Sequence, residues 1–278
     1  QIPKGPVHIN VSLAEPLYET QELSTVPILA INEPQSNALS KTEKSEISEA
    51  WHSAPKKLIL IGQFDPNALS IEALDSVLGD PSVAILVENT SNLRHFQRIC
   101  HSIDRTLALI SDQEMHNYSP DLLVTMGGAI ISKKIKAFLR KNKAAVNYRV
   151  GQFLFEEDTY QSLTRSFNVR PTAFFNFIGS LDKTVTSNFG GKWKQKDFLA
   201  NEIHTNYLEE APFSDLKAFE LILDTIPDDS NLHMANSSVV RYCQLFNPIR
   251  GVSYYSNRGV SGIDGSTSTA LGIAISSP

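Results

Sequence analysis

The 278 residues are 41% hydrophobic and 20% charged, with a formal net charge of −5. That is a globular composition, long enough for one large or two ordinary domains. It excludes a disordered chain, a membrane-embedded bundle and a protein that holds nucleic acid through bulk positive charge.

The two cysteines, Cys100 and Cys243, show no metal-ligand spacing and no disulfide framework, the pattern of a reducing compartment. No apolar run approaches a membrane span and no signal peptide is visible, so the expected localisation is cytoplasmic. The first residue is Gln1, and the chain is expected to start inside a longer protein.

Residues 5–13 alternate apolar and polar side chains as a strand does, and Glu15-Pro16-Leu17-Tyr18 breaks the pattern. Residues 33–54 are rich in Ser, Glu, Lys, Asn and Gln and read as surface linker with one short polar helix. A regular section follows. Strands are predicted at 57–61, 83–87, 107–110, 122–126 and 144–150, with helical spacing at 66–78 and 131–140. Strands alternating with helices over about 100 residues predict an α/β domain. Its sheet is expected to be doubly wound and mainly parallel, and the domain to span 55–175.

After Pro171 the texture changes. Helices are predicted at 192–210 and 214–226, the second capped by Ser214, then a strand at 231–235 and a helix at 239–246. A strand at 252–255 and a helix from 268 to 275 complete the incomplete start of a second α/β domain, expected from 176 to 278.

Four places carry chemistry. Gly127-Gly128 ends a strand before a helix, where backbone N–H groups can approach a phosphate, but two adjacent glycines fall short of a dinucleotide fingerprint and a tight structural turn is the simpler reading. Lys133 and Lys134 lie at the start of that helix, where cations oppose the macrodipole unless an anion joins them; solvated surface lysines are the bland alternative. Asn236-Ser237-Ser238 sits between a strand and a helix, able either to cap the helix or to donate to a diphosphate, with Arg241 one turn on. Residues 257–269 hold three glycines, several hydroxyls, Arg258, Ile263 and Asp264 between a strand and a helix. A loop so composed points to a binding role, with Arg258 a fork for a carboxylate. The histidines (His8, His52, His95, His101, His116, His204 and His233) have no paired-ligand spacing, and there is no nucleophile elbow or P-loop.

Three of these segments, taken together, resemble one family. Gly5-Pro6-Val7-His8-Ile9-Asn10 with Glu15-Pro16-Leu17-Tyr18 is similar to the end of the first domain of thiamine-diphosphate enzymes, and in its last four residues to the SEPHCHC synthases. Residues 235–241 and the loop 257–265 are similar to the same family's patterns, with Val260 where alanine is frequent. SEPHCHC stands for 2-succinyl-5-enolpyruvyl-6-hydroxy-3-cyclohexene-1-carboxylate.

The resemblance implies three α/β domains: 1–20 the tail of a pyrimidine-binding domain, 21–54 a linker, 55–175 the central domain, and 176–278 the first part of a diphosphate-binding domain. It implies a carboligase of menaquinone biosynthesis that decarboxylates 2-oxoglutarate and adds the resulting carbanion to isochorismate, with thiamine diphosphate and Mg²⁺ as cofactors. Arg241, Arg258, Lys133 and Lys134 would bind the substrates' carboxylates. Asn236, Ser237, Ser261 (through its carbonyl) and Ile263 would meet the cofactor. The activating glutamate is expected upstream of Gln1 and the metal motif beyond Pro278, so the chain alone is expected to be inactive and to hold no cofactor. The parent protein is expected to be a homodimer or homotetramer. Two other readings stand beside this one: an acetolactate-type carboligase, and a non-catalytic binding or regulatory module.

Overall fold

A computed structural model describes residues 38–66, 68–93, 98–152, 158–183 and 186–276. The strand predicted at 5–13 and the segment 15–18 lie outside them.

The first helix, α1 (Lys41–Ser53), falls inside the polar stretch read as linker. Ser40 and Glu43 form its capping box, and Ile47 and Trp51, one turn apart, are buried against the sheet. The elements that follow are β1 (Lys57–Ile61), α2 (Ile71–Leu78), β2 (Val83–Val87), α3 (Ile103–Ala108), α4 (Met115–Tyr118), β3 (Leu122–Met126), α5 (Lys133–Lys141), β4 (Val146–Gly151), β5 (Arg165–Asn168) and α6 (Pro171–Gly179). The five strands form one parallel sheet in the order β2-β1-β3-β4-β5.

Every residue of β1, β2 and β3 is buried because helices cover both faces. Ile59, Ile61, Val83, Ile85, Leu122 and Val124 turn to a face covered by α1, α2 and α6. Leu58, Leu60, Ala84, Leu86 and Leu123 turn to the other, covered by α3, α4, α5 and the first half of α7 (Phe189–Glu210). Phe189 and Trp193 of α7 are fully buried there. The expected α/β fold with a doubly wound parallel sheet is what the chain adopts, and α7 reaches back across the boundary expected at 175/176 to pack on it.

One predicted strand is not a strand. Residues 107 and 108 end α3 and 109–110 follow it directly, with Ile103, Thr106, Leu107 and Ile110 at helical spacing on its inner side. A four-residue window showed only an apolar run, and the longer period decides. The edge strand β5 and the helix α6 were not foreseen. β5 buries only Phe167 and so has no apolar run, whereas α6 did carry a signal, Pro171 at its first position.

The second region holds α8 (Asp215–Asp224), β6 (Asn231–Met234), α9 (Ser238–Cys243), β7 (Ser253–Ser256) and α10 (Ser266–Ser276), with Ser214 capping α8 as expected. β6 and β7 pair in parallel, and Leu223, Met234, Val240, Cys243, Val252 and Tyr254 form a separate core. Polar side chains fasten it to the first sheet. Asn89 donates from Nδ2 to the Cys243 carbonyl at 2.8 Å, and Gln63 donates from Nε2 to the Ser256 carbonyl at 3.2 Å.

Candidate functional site

The loops that leave β6 and β7 meet at Asn236, which is buried. Its Nδ2 donates to the carbonyls of Asn257 and Gly262, each at 2.7 Å. Its Oδ1 accepts from Arg258 Nη1 at 2.6 Å and from Ser256 Oγ at 3.4 Å. One amide thus ties the loop after β7 at both ends and fixes the arginine within it. Every polar position of that side chain is engaged within the protein, so Asn236 shapes the loop around it.

Two of those neighbours are strained. Ser237, at the start of α9, has φ 71° and ψ −125°, and Ser261 has φ 57°. Non-glycine residues in such conformations cost on the order of 1–3 kcal/mol each and concentrate where a backbone must present its groups to a ligand. Both are exposed. Beside Ser261, Ile263 is 77% exposed, an apolar side chain held out from a polar loop. The Ser261 carbonyl makes no hydrogen bond to the described residues.

Lys133 and Lys134 open α5, capped by Ser132, and both are exposed. The anion that the helix entry calls for is supplied by the protein. Glu88, buried just beyond β2, accepts from the Ile131 N–H at 2.7 Å and from the Ser132 N–H at 2.7 Å. Sequence reasoning passed over Glu88. Its signal was an acid placed directly after five apolar residues, a position that a doubly covered sheet buries. Burial pushes its carboxyl up to about 7; the Ile131 and Ser132 N–H groups pull it back, Asp104 pushes it further up and Lys136 lowers it.

Glu88 also joins the cations. Burial lowers the Arg258 pKa, Glu88 raises it and Arg241 lowers it. Burial lowers the Lys136 pKa, with Glu88 raising it and Arg258, Arg140 and Lys133 lowering it. Arg258 thus feels both Glu88 and Arg241, and Lys136 feels Glu88, Arg258, Arg140 and Lys133, with Lys134 exposed next to Lys133. Glu88, Asp104, Ser132, Arg241 and Gln244 line a cavity of about 10 Å³, space for a single water.

The Gly127-Gly128 turn serves packing. Gly127 has φ +76°, and the Gly128 N–H donates to the Gln63 carbonyl at 2.7 Å. Cys100 and Cys243 are buried free thiols, pushed up in pKa by burial. Among the described residues no group of three His, Cys, Asp or Glu side chains is placed to hold a metal ion.

No family model matches the chain. Individual proteins do. It is 42% identical over 275 residues to the 2-succinyl-5-enolpyruvyl-6-hydroxy-3-cyclohexene-1-carboxylate synthase of Flavobacterium psychrophilum, covering 99% of this chain and 49% of that protein. The synthases of Flavobacterium johnsoniae and Christiangramia forsetii are 39% and 38% identical over 276 and 280 residues, again across 99% of this chain, and 50% and 48% of theirs. The chain spans about half the length of the curated relatives it matches. Among solved structures, an exopolyphosphatase-related protein from Bacteroides fragilis is similar at a TM-score of 0.34 and 11% identity, over 85% of this chain and 78% of that one.

Proposed function

We propose, from a similarity to the SEPHCHC synthases that runs along nearly the whole of this chain, that it carries part of the active site of such a synthase. The reaction joins 2-oxoglutarate to isochorismate with loss of CO₂, a step of menaquinone biosynthesis. The observation that carries this reading is the Asn236–Arg258 clasp, which holds a guanidinium at the mouth of two strand-end loops, within electrostatic reach of Arg241. The two substrates bring four carboxylates between them. A cluster of arginines and lysines meets that demand, because charge-assisted forks both orient and neutralise carboxylates.

The residues present fit thiamine diphosphate. Ile263 is an apolar side chain already exposed, Ser261 has an unengaged carbonyl, and Ser237 stands exposed at the strand-to-helix turn, where anions are favoured. Bound there with Mg²⁺, the cofactor would supply the electron sink for decarboxylation and carbon–carbon bond formation. The chain's own part is to orient and to hold. Arg241 and Arg258 grip carboxylates, Lys133 and Lys134 add positive potential, Asn236 fixes the loop, and Ile263 sets the cofactor's shape.

In this chain alone Arg241, Ser237, Ser261 and Ile263 are exposed. The chain on its own is expected to turn over no substrate. Phe213, Phe198, Tyr207 and Ile203 are large apolar side chains left exposed, in keeping with a homodimer or homotetramer. No helix among the described residues is long and apolar enough to cross a membrane, and we place the enzyme in the cytoplasm.

Steady-state kinetics of the full-length synthase test the reading. Arg258→Ala and Arg241→Ala should each lower kcat/KM for 2-oxoglutarate or isochorismate by roughly 2–4 kcal/mol in transition-state terms. Wild-type kinetics in both variants would refute the assignment.

A further inference from the structure

The turn that leaves β2 is fastened on two sides. Glu88 accepts from the Ile131 and Ser132 N–H groups at the entry of α5. Ser132 is the cap of that helix, so these two N–H groups have no partner within it. One residue on, the Asn89 N–H donates to Gln244 Oε1 at 3.1 Å and Asn89 Nδ2 donates to the Cys243 carbonyl, at the end of α9. Ser91 closes the turn: its Oγ donates to the Ile61 carbonyl at 2.6 Å and accepts from the Glu88 N–H at 3.0 Å. Glu88, Asn89 and Ser91 are all buried. Such a set of bonds resists rearrangement, because breaking one strands a polar group away from water.

The turn joins two cation-bearing elements. α5 begins with Lys133 and Lys134. Two residues before Lys133, Ile131 is buried in the second core with Met234, Val240 and Cys243. Arg241 follows Val240 directly on α9, and Asn236 stands two residues after Met234. Ile131, Ser132, Arg241 and Gln244 line one small cavity together with Glu88, so the entry of α5 and the face of α9 that carries Arg241 abut. The lysines and Arg241 therefore stand on either side of a packed joint. Ile131 is its apolar part and Glu88 its polar pin.

We propose that Glu88 is a positioning residue of the synthase reaction: through its hydrogen bonds to Ile131 and Ser132 it sets Lys133 and Lys134 at the spacing from Arg241 that the substrates' carboxylates require. This rests on the reading that these cations bind the substrates. Glu88 is buried and acts through the lysines, by the reach of its side chain and an oxygen that accepts both N–H groups.

Steady-state kinetics of the full-length synthase test it. The double variant Lys133→Gln/Lys134→Gln first identifies the substrate whose KM the lysines govern. Glu88→Asp keeps the charge but draws the carboxylate back by one methylene. It should raise that KM about tenfold, with kcat changed less than about threefold. Glu88→Gln loses the charge but keeps an oxygen in reach, and its KM should stay within about threefold of wild type. In the double-variant background Glu88→Asp should add nothing to KM, since the residue acts through the lysines. A general folding defect would instead lower the active fraction and leave KM in place. Ser132→Ala removes the cap from the same helix entry; it should raise KM about threefold and decides the matter if Glu88→Asp does not fold. The inference is overturned by a wild-type KM in Glu88→Asp or, failing that protein, in Ser132→Ala. Glu88→Gln as impaired as Glu88→Asp, full additivity with the lysine variants, or lysine variants that raise neither KM would equally overturn it. Any of these results with Arg258→Ala and Arg241→Ala still impaired leaves the proposed function standing, whereas wild-type kinetics in both arginine variants removes that reading itself.

Discussion

Asn92 and Tyr254 exchange two hydrogen bonds: the Tyr254 N–H donates to Asn92 Oδ1 at 2.8 Å, and Asn92 Nδ2 donates to the Tyr254 carbonyl at 3.1 Å. The side-chain amide takes the place of a neighbouring strand's peptide group and closes one edge of the two-stranded sheet. The same Nδ2 donates to the Phe64 carbonyl at 3.0 Å. Asn92 sits at φ 55°, a conformation asparagine tolerates better than most residues. Asn92→Ala should remove both bonds to the Tyr254 backbone and cost roughly 2–4 kcal/mol. Urea unfolding measures the loss, and hydrogen exchange at the Tyr254 amide locates it. A variant within about 0.5 kcal/mol of wild type, with Tyr254 equally protected, would show that the pairing carries no weight.

Asn236→Ala should act on the loop more than on the fold. It removes the contacts to Asn257, Gly262, Arg258 and Ser256 at one stroke. Amides of residues 257–265 should then exchange on the order of tenfold faster or more, the effect of losing about 1.4 kcal/mol of local protection. Amides of β1 and β3 should be unaffected. Unchanged exchange in the loop would mean that Asn236 does not hold it.

How much of this was legible depended on the length of the signal. β1, β2 and β3 are unbroken five-residue apolar runs, and their bounds follow from the sequence directly. Residues 107–110 misled because an apolar patch that short has no period of its own. At the site, Arg241, Arg258, Lys133 and Asn236 drew notice as charged or polar residues in loops and at helix starts. Their mutual arrangement did not. That Asn236 would tie both ends of the loop after β7, and that Glu88 would come to the entry of α5 from β2, 43 residues away along the chain, are facts of tertiary packing, and no local pattern encodes them.

Gly62 tests how tightly the two loops at the sheet's carboxyl edge are packed. A Cβ there would lie 2.0 Å from the Gly128 carbonyl oxygen, a backbone atom that cannot swing aside. Gly62→Ala should therefore part the loops after β1 and β3 and destabilise the chain by about 1–3 kcal/mol. Gly259 is the control, with nothing within 4 Å of its would-be Cβ. Gly259→Ala should be close to neutral in thermal unfolding. Equal Tm values for the two variants would contradict the packing described.

The pH dependence of stability turns on two buried groups with opposite signs. Burial pushes Glu88 up to about 7 from an ordinary 4.5. Between those values the folded chain keeps a proton that the unfolded chain has released. Stability from this group is therefore greatest at low pH and falls as pH rises through the window, by on the order of 3 kcal/mol in full. His204 runs the other way. Burial, and then Arg105, depress it from 6.5 to about 4. Below 6.5 the unfolded chain takes up a proton that the folded chain refuses, so its contribution is lost as pH falls. Across the shared interval the two slopes oppose each other. Glu88→Gln removes the first, since the amide keeps an oxygen for the Ile131 and Ser132 N–H groups and does not titrate. Relative to wild type, the variant should gain stability from pH 5 to about pH 7 and level off above it, and its own stability should fall on acidification below 6.5 because His204 then acts unopposed. Urea midpoints at pH 5, 6, 7 and 8 for both proteins give the difference directly. A difference that stays flat across the series would mean that Glu88 remains ionised throughout, its N–H bonds outweighing its burial.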